Sequence, residues 1–244
     1  MKQYLYKPMR DKEYPRAQDI LTGRTWDKTC YIIGGGESLK GFDYSKLDGK
    51  FTIGINRSIE VYESTIWYGM DCQFLKMVQE GFIKAEKWEN FKGIKIFARP
   101  NNGWIFDGNV YLVENSGKVS DNIDEGIDHG TNSGYGALML AVALGCKSIF
   151  LLGYDMTVKE SPNWHEGYPH QQNLEIQKKR VGKYIAGFDK AFSSLTRLEV
   201  SVYNCCPDSK LECFPKVGID GAFSVAEKDL APVPEESEFS DMYY

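Results

Sequence analysis

Seven segments of the chain read as strands: residues 30–34, 51–55, 65–69, 93–98, 109–113, 147–153 and 198–204. Several, such as Tyr31-Ile32-Ile33 and "KSIFLLG" at 147–153, are apolar almost without interruption. Such runs suit a parallel sheet covered on both faces better than an antiparallel sheet with one wet face. Two stretches carry helical patterns instead. Residues 133–145, "SGYGALMLAVALG", are apolar on nearly every side, which predicts a buried helix stopped by Gly145. Over 172–195, Val181, Tyr184, Ile185, Phe188, Phe192 and Leu195 recur at three- and four-residue spacing, with Lys178, Lys179, Arg180, Lys183 and Lys190 mostly on the other side. That is an amphipathic helix with an ordinary solvated basic face.

Each helix leads into a strand. The alternation predicts an α/β fold: a Rossmann-like, doubly wound, mostly parallel sheet with helices on both faces. We assign residues 1–28 to an N-terminal arm packed on the main domain, 29–216 to the domain itself and 217–244 to a C-terminal tail. The stretch "DLAPVPEESEFSDMYY" is acidic and Pro-bearing, as a loosely held terminus would be.

Apolar residues make up 42% and aromatic residues 14%, enough for a sizeable core. The net charge of −5 argues against a nucleic-acid coat, which needs clustered Lys and Arg. Six cysteines form no C-x-x-C pair, and Cys205 and Cys206 are adjacent, a poor geometry for a mutual disulfide. A reducing compartment follows. No apolar stretch has signal-peptide or membrane-spanning character. The expectation is a soluble cytoplasmic protein of a bacterium or a phage-infected cell, with a homo-oligomer left open.

The candidate chemistry lies where strands end. The first strand runs into Gly34-Gly35-Gly36-Glu37-Ser38. A glycine-rich loop at the carboxyl end of a parallel strand lets backbone N–H groups converge and an anion approach closely. The spacing is neither G-x-G-x-x-G nor a Walker loop, so a plain tight turn remains open. Ser38 can donate a hydroxyl or cap the next turn. Asn56 ends the second strand; its amide suits a base or sugar edge, or closes a turn through its own backbone. Thr131, Asn132 and Ser133 precede the buried helix and expose its N-terminus, a second place for an anion or a sugar hydroxyl. The strand after that helix ends in Gly153-Tyr154-Asp155, where Asp155 fixes a ribose or substrate hydroxyl, or caps the turn that follows it.

Next comes "SPNWHEGYPH". His165 and His170 are two of three histidines in the chain, and histidine is the natural general base near neutrality. Asp155 or Glu166 can orient it. As metal ligands these residues match no strong zinc spacing, and no metal is assigned.

"YIIGGGESLKGFDYSKLDGKFTIGINRS" resembles the opening of bacterial sialyltransferases of the Campylobacter type (glycosyltransferase family 42). "TNSGYGALMLAVALGCKSIFLLGYDM" is similar to that family's T-S-G helix and G-x-D strand end, and "LEVSVYNCCPDSKLECFP" to its late strand and Cys-Pro-x-Ser turn. The same ordered set resembles proteins of unknown function 115, the pterin pyrophosphokinase-like group, many of phage or prophage type. The resemblance implies that Gly35, Gly36 and Ser38 flank a phosphate. Asn56, Asn132 and Ser133 approach the nucleotide, with Asp155 nearby, and His165, or else His170, is the base. It implies a nucleotide sugar as donor, CMP-linked by likeness, and an acceptor it does not name. It implies no cofactor and no metal, consistent with the lack of a D-x-D motif. Where an aromatic is expected after Met156, this chain has Thr157. Two other functions fit the same residues. One is a pyrophosphokinase using ATP and Mg²⁺, with Asp71, Asp155 and Glu166 as candidate carboxylates. The other is a non-catalytic phage assembly or binding protein that retains the fold.

Overall fold

The structure, a computed structural model, describes residues 6–8, 15–100, 104–106, 110–157 and 174–229. The strands in chain order are β1 (Tyr6–Pro8), β2 (Thr29–Ile33), β3 (Thr52–Ile55), β4 (Ile66–Gly69), β5 (Ile94–Ala98), β6 (Trp104–Phe106), β7 (Tyr111–Val113), β8 (Ser148–Leu152) and β9 (Ser201–Asn204). The helices are α1 (Gln18–Leu21), α2 (Cys72–Gln79), α3 (Ala85–Glu89), α4 (Ser133–Ala143), α5 (Leu174–Arg197) and α6 (Ile219–Asp229). β1 and β6 form a separate antiparallel pair. The other seven strands form one sheet in the order β7-β5-β4-β3-β2-β8-β9, with every neighbour parallel. This is the doubly wound α/β architecture the apolar runs predict.

The chain steps outward from β2 to β7, then crosses back to add β8 and β9 on the other side. Strand order therefore reverses between β2 and β8. The loops leaving their carboxyl ends diverge, and such a point opens a crevice in open α/β sheets.

Side chains alternate across the sheet with period two. On one face Cys30, Ile32, Ile53, Ile55, Tyr68, Ile149 and Leu151 pack under α4 and α5. On the other, Tyr31, Ile33, Phe150 and Leu152 meet α6, while Trp67 and Phe97 meet α2 and α3. α4 is buried along nearly its whole length, matching its lack of a polar face. Gly145, at φ +83, closes it by donating to Val142 O at 2.9 Å.

Three boundaries differ from expectation. The last strand begins at Ser201 rather than 198. α5 runs to Arg197 and is closed by Glu199 at φ 56, with Val200 N–H donating to Leu195 O at 3.0 Å. Residues 219–229, expected within the tail, form α6: Ala222 is fully buried and Phe223 stacks on Tyr31 at 5.3 Å. The N-terminal arm joins the sheet edge, where Leu112 donates to Pro15 O at 2.9 Å and Ala17 donates to Leu112 O at 2.7 Å. Among the described residues no helix is long and apolar enough to cross a membrane.

Candidate functional site

The glycine loop is pinned onto the neighbouring strand end. Gly34 N–H donates to Leu152 O at 2.8 Å, and Gly36 N–H donates to Gly153 O at 2.9 Å, extending the β2–β8 ladder past both strands. A Cβ on Gly34 would stand 2.7 Å from Gly153 O, and one on Gly36 would stand 1.8 Å from Asp155 Oδ2. Gly36 has φ −70, which any residue adopts. Its lack of a side chain is demanded by Asp155 and Gly153 O, not by its own backbone. Among the described residues, the group crowding this loop is thus the end of β8 itself.

Asp155 holds the turn that follows the glycine loop. Its Oδ1 accepts from Ser38 N–H at 3.0 Å and its Oδ2 from Ser38 Oγ at 2.7 Å. The turn it holds is not the one after it in sequence but the one at Ser38, 117 residues earlier. Cys206, just past β9, completes the clasp. Its Sγ accepts from Tyr154 N–H at 3.1 Å and lies 3.1 Å from Ser38 Oγ. Burial pushes this thiol up to about 11, so it stays protonated and inert as a nucleophile near neutrality. Three loops, after β2, β8 and β9, are locked together at the switch point.

Asn56 directly follows β3 and adopts φ 50, in the left-handed region. Its backbone carbonyl accepts from Trp67 Nε1 at 2.8 Å, which ties the turn to β4. Its Oδ1 is buried with no hydrogen-bond partner among the described residues. Ile55 pairs with Tyr68, so Asn56 stands at the sheet's carboxyl rim.

Asn132 is the N-cap of α4: its Oδ1 accepts from Tyr135 N–H at 2.9 Å, and its Nδ2 is buried with no partner among the described residues. The N–H groups of Ser133 and Gly134 meet no acceptor among the described residues, as expected for the first turn of a helix. Ser133 is buried and Thr131 is exposed, with Gly187 of α5 as its neighbour. Tyr154 joins the two halves, its hydroxyl donating to Gly134 O at 2.9 Å. Gly153, at φ +71, makes the turn that aims Tyr154 and Asp155 apart.

The structure therefore places Gly34, Gly36, Ser38, Asn56, Asn132, Ser133, Gly153 and Asp155 along the carboxyl rim of adjacent strands and of the helix over them. His165 and His170, with Glu166, lie outside the described residues. The third histidine, His129, is buried behind β7, with Nε2 3.0 Å from Val113 O; burial lowers its pKa. Sequence reasoning met Cys206 only as half of an adjacent pair and as the Cys of a Cys-Pro-x-Ser turn, and passed over Tyr154 between Gly153 and Asp155. No local pattern marks the clasp that either makes, because their partners are distant in sequence.

Among the described residues no group of three His, Cys, Asp or Glu is placed to hold a metal ion. A cavity of about 390 Å³ lies elsewhere, lined by Ile59, Tyr62, Glu63, Lys87, Phe91 and neighbours. Those segments precede β4 and β5, so the cavity sits at the amino end of the sheet, away from the strand ends where parallel sheets bind ligands.

No protein-family model matches the chain, and no curated protein matches it. Among solved structures it is similar to the sialyltransferase CstII from Campylobacter jejuni in complex with a substrate analogue, CMP-3FNeuAc. The TM-score is 0.47 at 16% identity, covering 79% of this chain and 86% of that one. It is also similar to a Tyr-to-Phe variant of sialyltransferase CST-II in complex with CMP, with TM-score 0.46 at 16% identity over 77% and 84% of the two chains.

Proposed function

We propose that the chain is a glycosyltransferase-like enzyme that takes its sugar from a nucleotide-activated donor, CMP-linked in our reading. One observation carries this: polar groups unpaired among the described residues gather at the carboxyl rim beside a topological switch point. The free N–H groups of Ser133 and Gly134, with Asn132 Nδ2, are donors at a helix N-terminus, which suits phosphate oxygens. Asn56 Oδ1 is a buried acceptor, which suits an amino edge such as that of cytosine. The loop Gly34-Gly35-Gly36, held by Asp155 through Ser38, forms the wall against which the nucleotide lies.

The reaction is a direct displacement at the anomeric carbon, without a metal. His165, with His170 as the alternative, takes the proton from the acceptor hydroxyl. The acceptor oxygen bonds to the anomeric carbon as the bond to the phosphate oxygen breaks, and the nucleotide leaves with that electron pair. The donors on the first turn of α4 stabilise the departing charge.

The test is turnover of a panel of nucleotide sugars in the presence of a metal chelator, wild type against His165→Ala and His170→Ala. General-base loss lowers kcat by about 10²- to 10⁴-fold in one of the two variants. Equal turnover by both variants would remove the histidine from the mechanism. A chain that binds no nucleotide at millimolar concentration would remove the enzyme reading and favour a binding module.

A further inference from the structure

Tyr68 carries a hydroxyl that no described residue uses. It lies next to the end of β4, in register with Ile55 and so one residue below the rim. Its side chain is 0% exposed and points to the α4 face of the sheet. Its Oη reaches the first turn of α4: a Cβ on Gly136 would stand only 2.3 Å from it, so glycine there makes room for the hydroxyl. Among the described residues the Oη has no hydrogen-bond partner. Phenylalanine would fill the same space without burying an unsatisfied polar atom, and buried polar groups are nearly always paired. Burial, and then the Asp128 carboxylate, push this phenol well above its ordinary range, so it remains a donor at any working pH.

We infer that Tyr68 is a ligand-binding residue, whose hydroxyl joins Asn132 Nδ2 and the N–H groups of Ser133 and Gly134 in holding an oxyanion, the phosphate of the nucleotide in the site proposed above. The inference rests on that reading for the identity of the ligand but not for the oxyanion chemistry. The Oη adjoins Gly136 on the same first turn of α4 that carries the other three donors, and the dipole of α4 adds to their field. Asp128 opposes it. Its Oδ1 accepts from Gly130 N–H at 3.0 Å and its Oδ2 from Tyr135 hydroxyl at 2.8 Å, which disperses its charge without removing it. Asp128→Asn therefore strengthens anion binding.

The experiment measures dissociation constants for inorganic phosphate and for CMP, with the melting temperature of the free protein, in wild type, Tyr68→Phe and Asp128→Asn. Tyr68→Phe is expected to melt at the wild-type temperature or higher, while both dissociation constants rise about tenfold or more, the loss of one hydrogen bond to a charged group. Unchanged constants in a folded Tyr68→Phe protein would overturn the inference. Phosphate binding that depends on Tyr68, without CMP binding, supports the oxyanion site and overturns the nucleotide reading. CMP binding indifferent to Tyr68 does the reverse, and a wild type that binds neither overturns both. Should Tyr68→Phe fail to fold, Asp128→Asn decides: tighter phosphate binding supports the site, and an unchanged constant overturns it.

Discussion

Replacing Gly36 by alanine tests the clasp at the switch point. The new methyl would lie 1.8 Å from Asp155 Oδ2 and 2.6 Å from Gly153 O. The backbone at Gly36 accepts alanine freely, so the whole effect is steric. Asp155 can swing away, but it then releases Ser38 N–H and Ser38 Oγ, held at 3.0 and 2.7 Å. Gly153 O belongs to the backbone and cannot yield. Overpacking costs about 1–3 kcal/mol. Two hydrogen bonds to a carboxylate, at a half-buried site where water replaces part of them, add about 1–2 kcal/mol. We expect Gly36→Ala to lower unfolding free energy by about 3 kcal/mol in urea denaturation. In an Asp155→Ala background the side-chain collision is gone and only the Gly153 contact remains, so the same substitution costs about 1–2 kcal/mol less. Strict additivity of the two substitutions, or a Gly36→Ala cost under about 0.5 kcal/mol, would refute the reasoning.

Asn56→Gly should leave stability unchanged because glycine accepts φ 50, whereas Asn56→Ala should lose about 1 kcal/mol. Both should lose CMP affinity in calorimetry, and intact binding by Asn56→Gly would remove the amide from the site. Burial holds His129 below its ordinary pKa, so the unfolded chain takes up that proton first as pH falls. Stability should be full above about pH 6.5 and decline below it, and a His129→Gln protein should lose that component of the slope in denaturant titrations across pH 4–8. Alkylation of the native chain at pH 8, read by mass spectrometry, should modify Cys72 first and spare Cys30, Cys146, Cys205 and Cys206, all buried. Rapid modification of Cys206 would contradict its burial in the clasp.

The sheet was legible because strands covered on both faces need uninterrupted apolar runs, and 147–153 or Tyr31-Ile32-Ile33 could hardly be anything else. α4 was legible for the same reason, with Asn132 and Gly145 marking its ends. Strand order was not, since no residue near β2 records that β8 will lie beside it. The meaning of Gly36 is written in Asp155, 119 positions away by their numbers, so the loop looked like a ligand cradle before it looked like a packed corner. α2 went unread although Asp71 caps it and Phe74, Leu75, Met77 and Val78 supply its buried face; eight residues are too few for periodicity to stand out. α6 was hidden by the acidic tail that follows it, which drew attention from Ile219, Ala222 and Phe223 at helical spacing.

The central claim is that unpaired groups at the carboxyl rim bind a nucleotide. Amide chemical shifts of the isotope-labelled chain, followed as CMP is added, test it most directly. The account expects the largest changes at Gly35, Asn56, Asn132, Ser133 and Gly134. Changes centred on residues 59–63 and 86–92 at the amino-end cavity, or none at all at millimolar CMP, would contradict it.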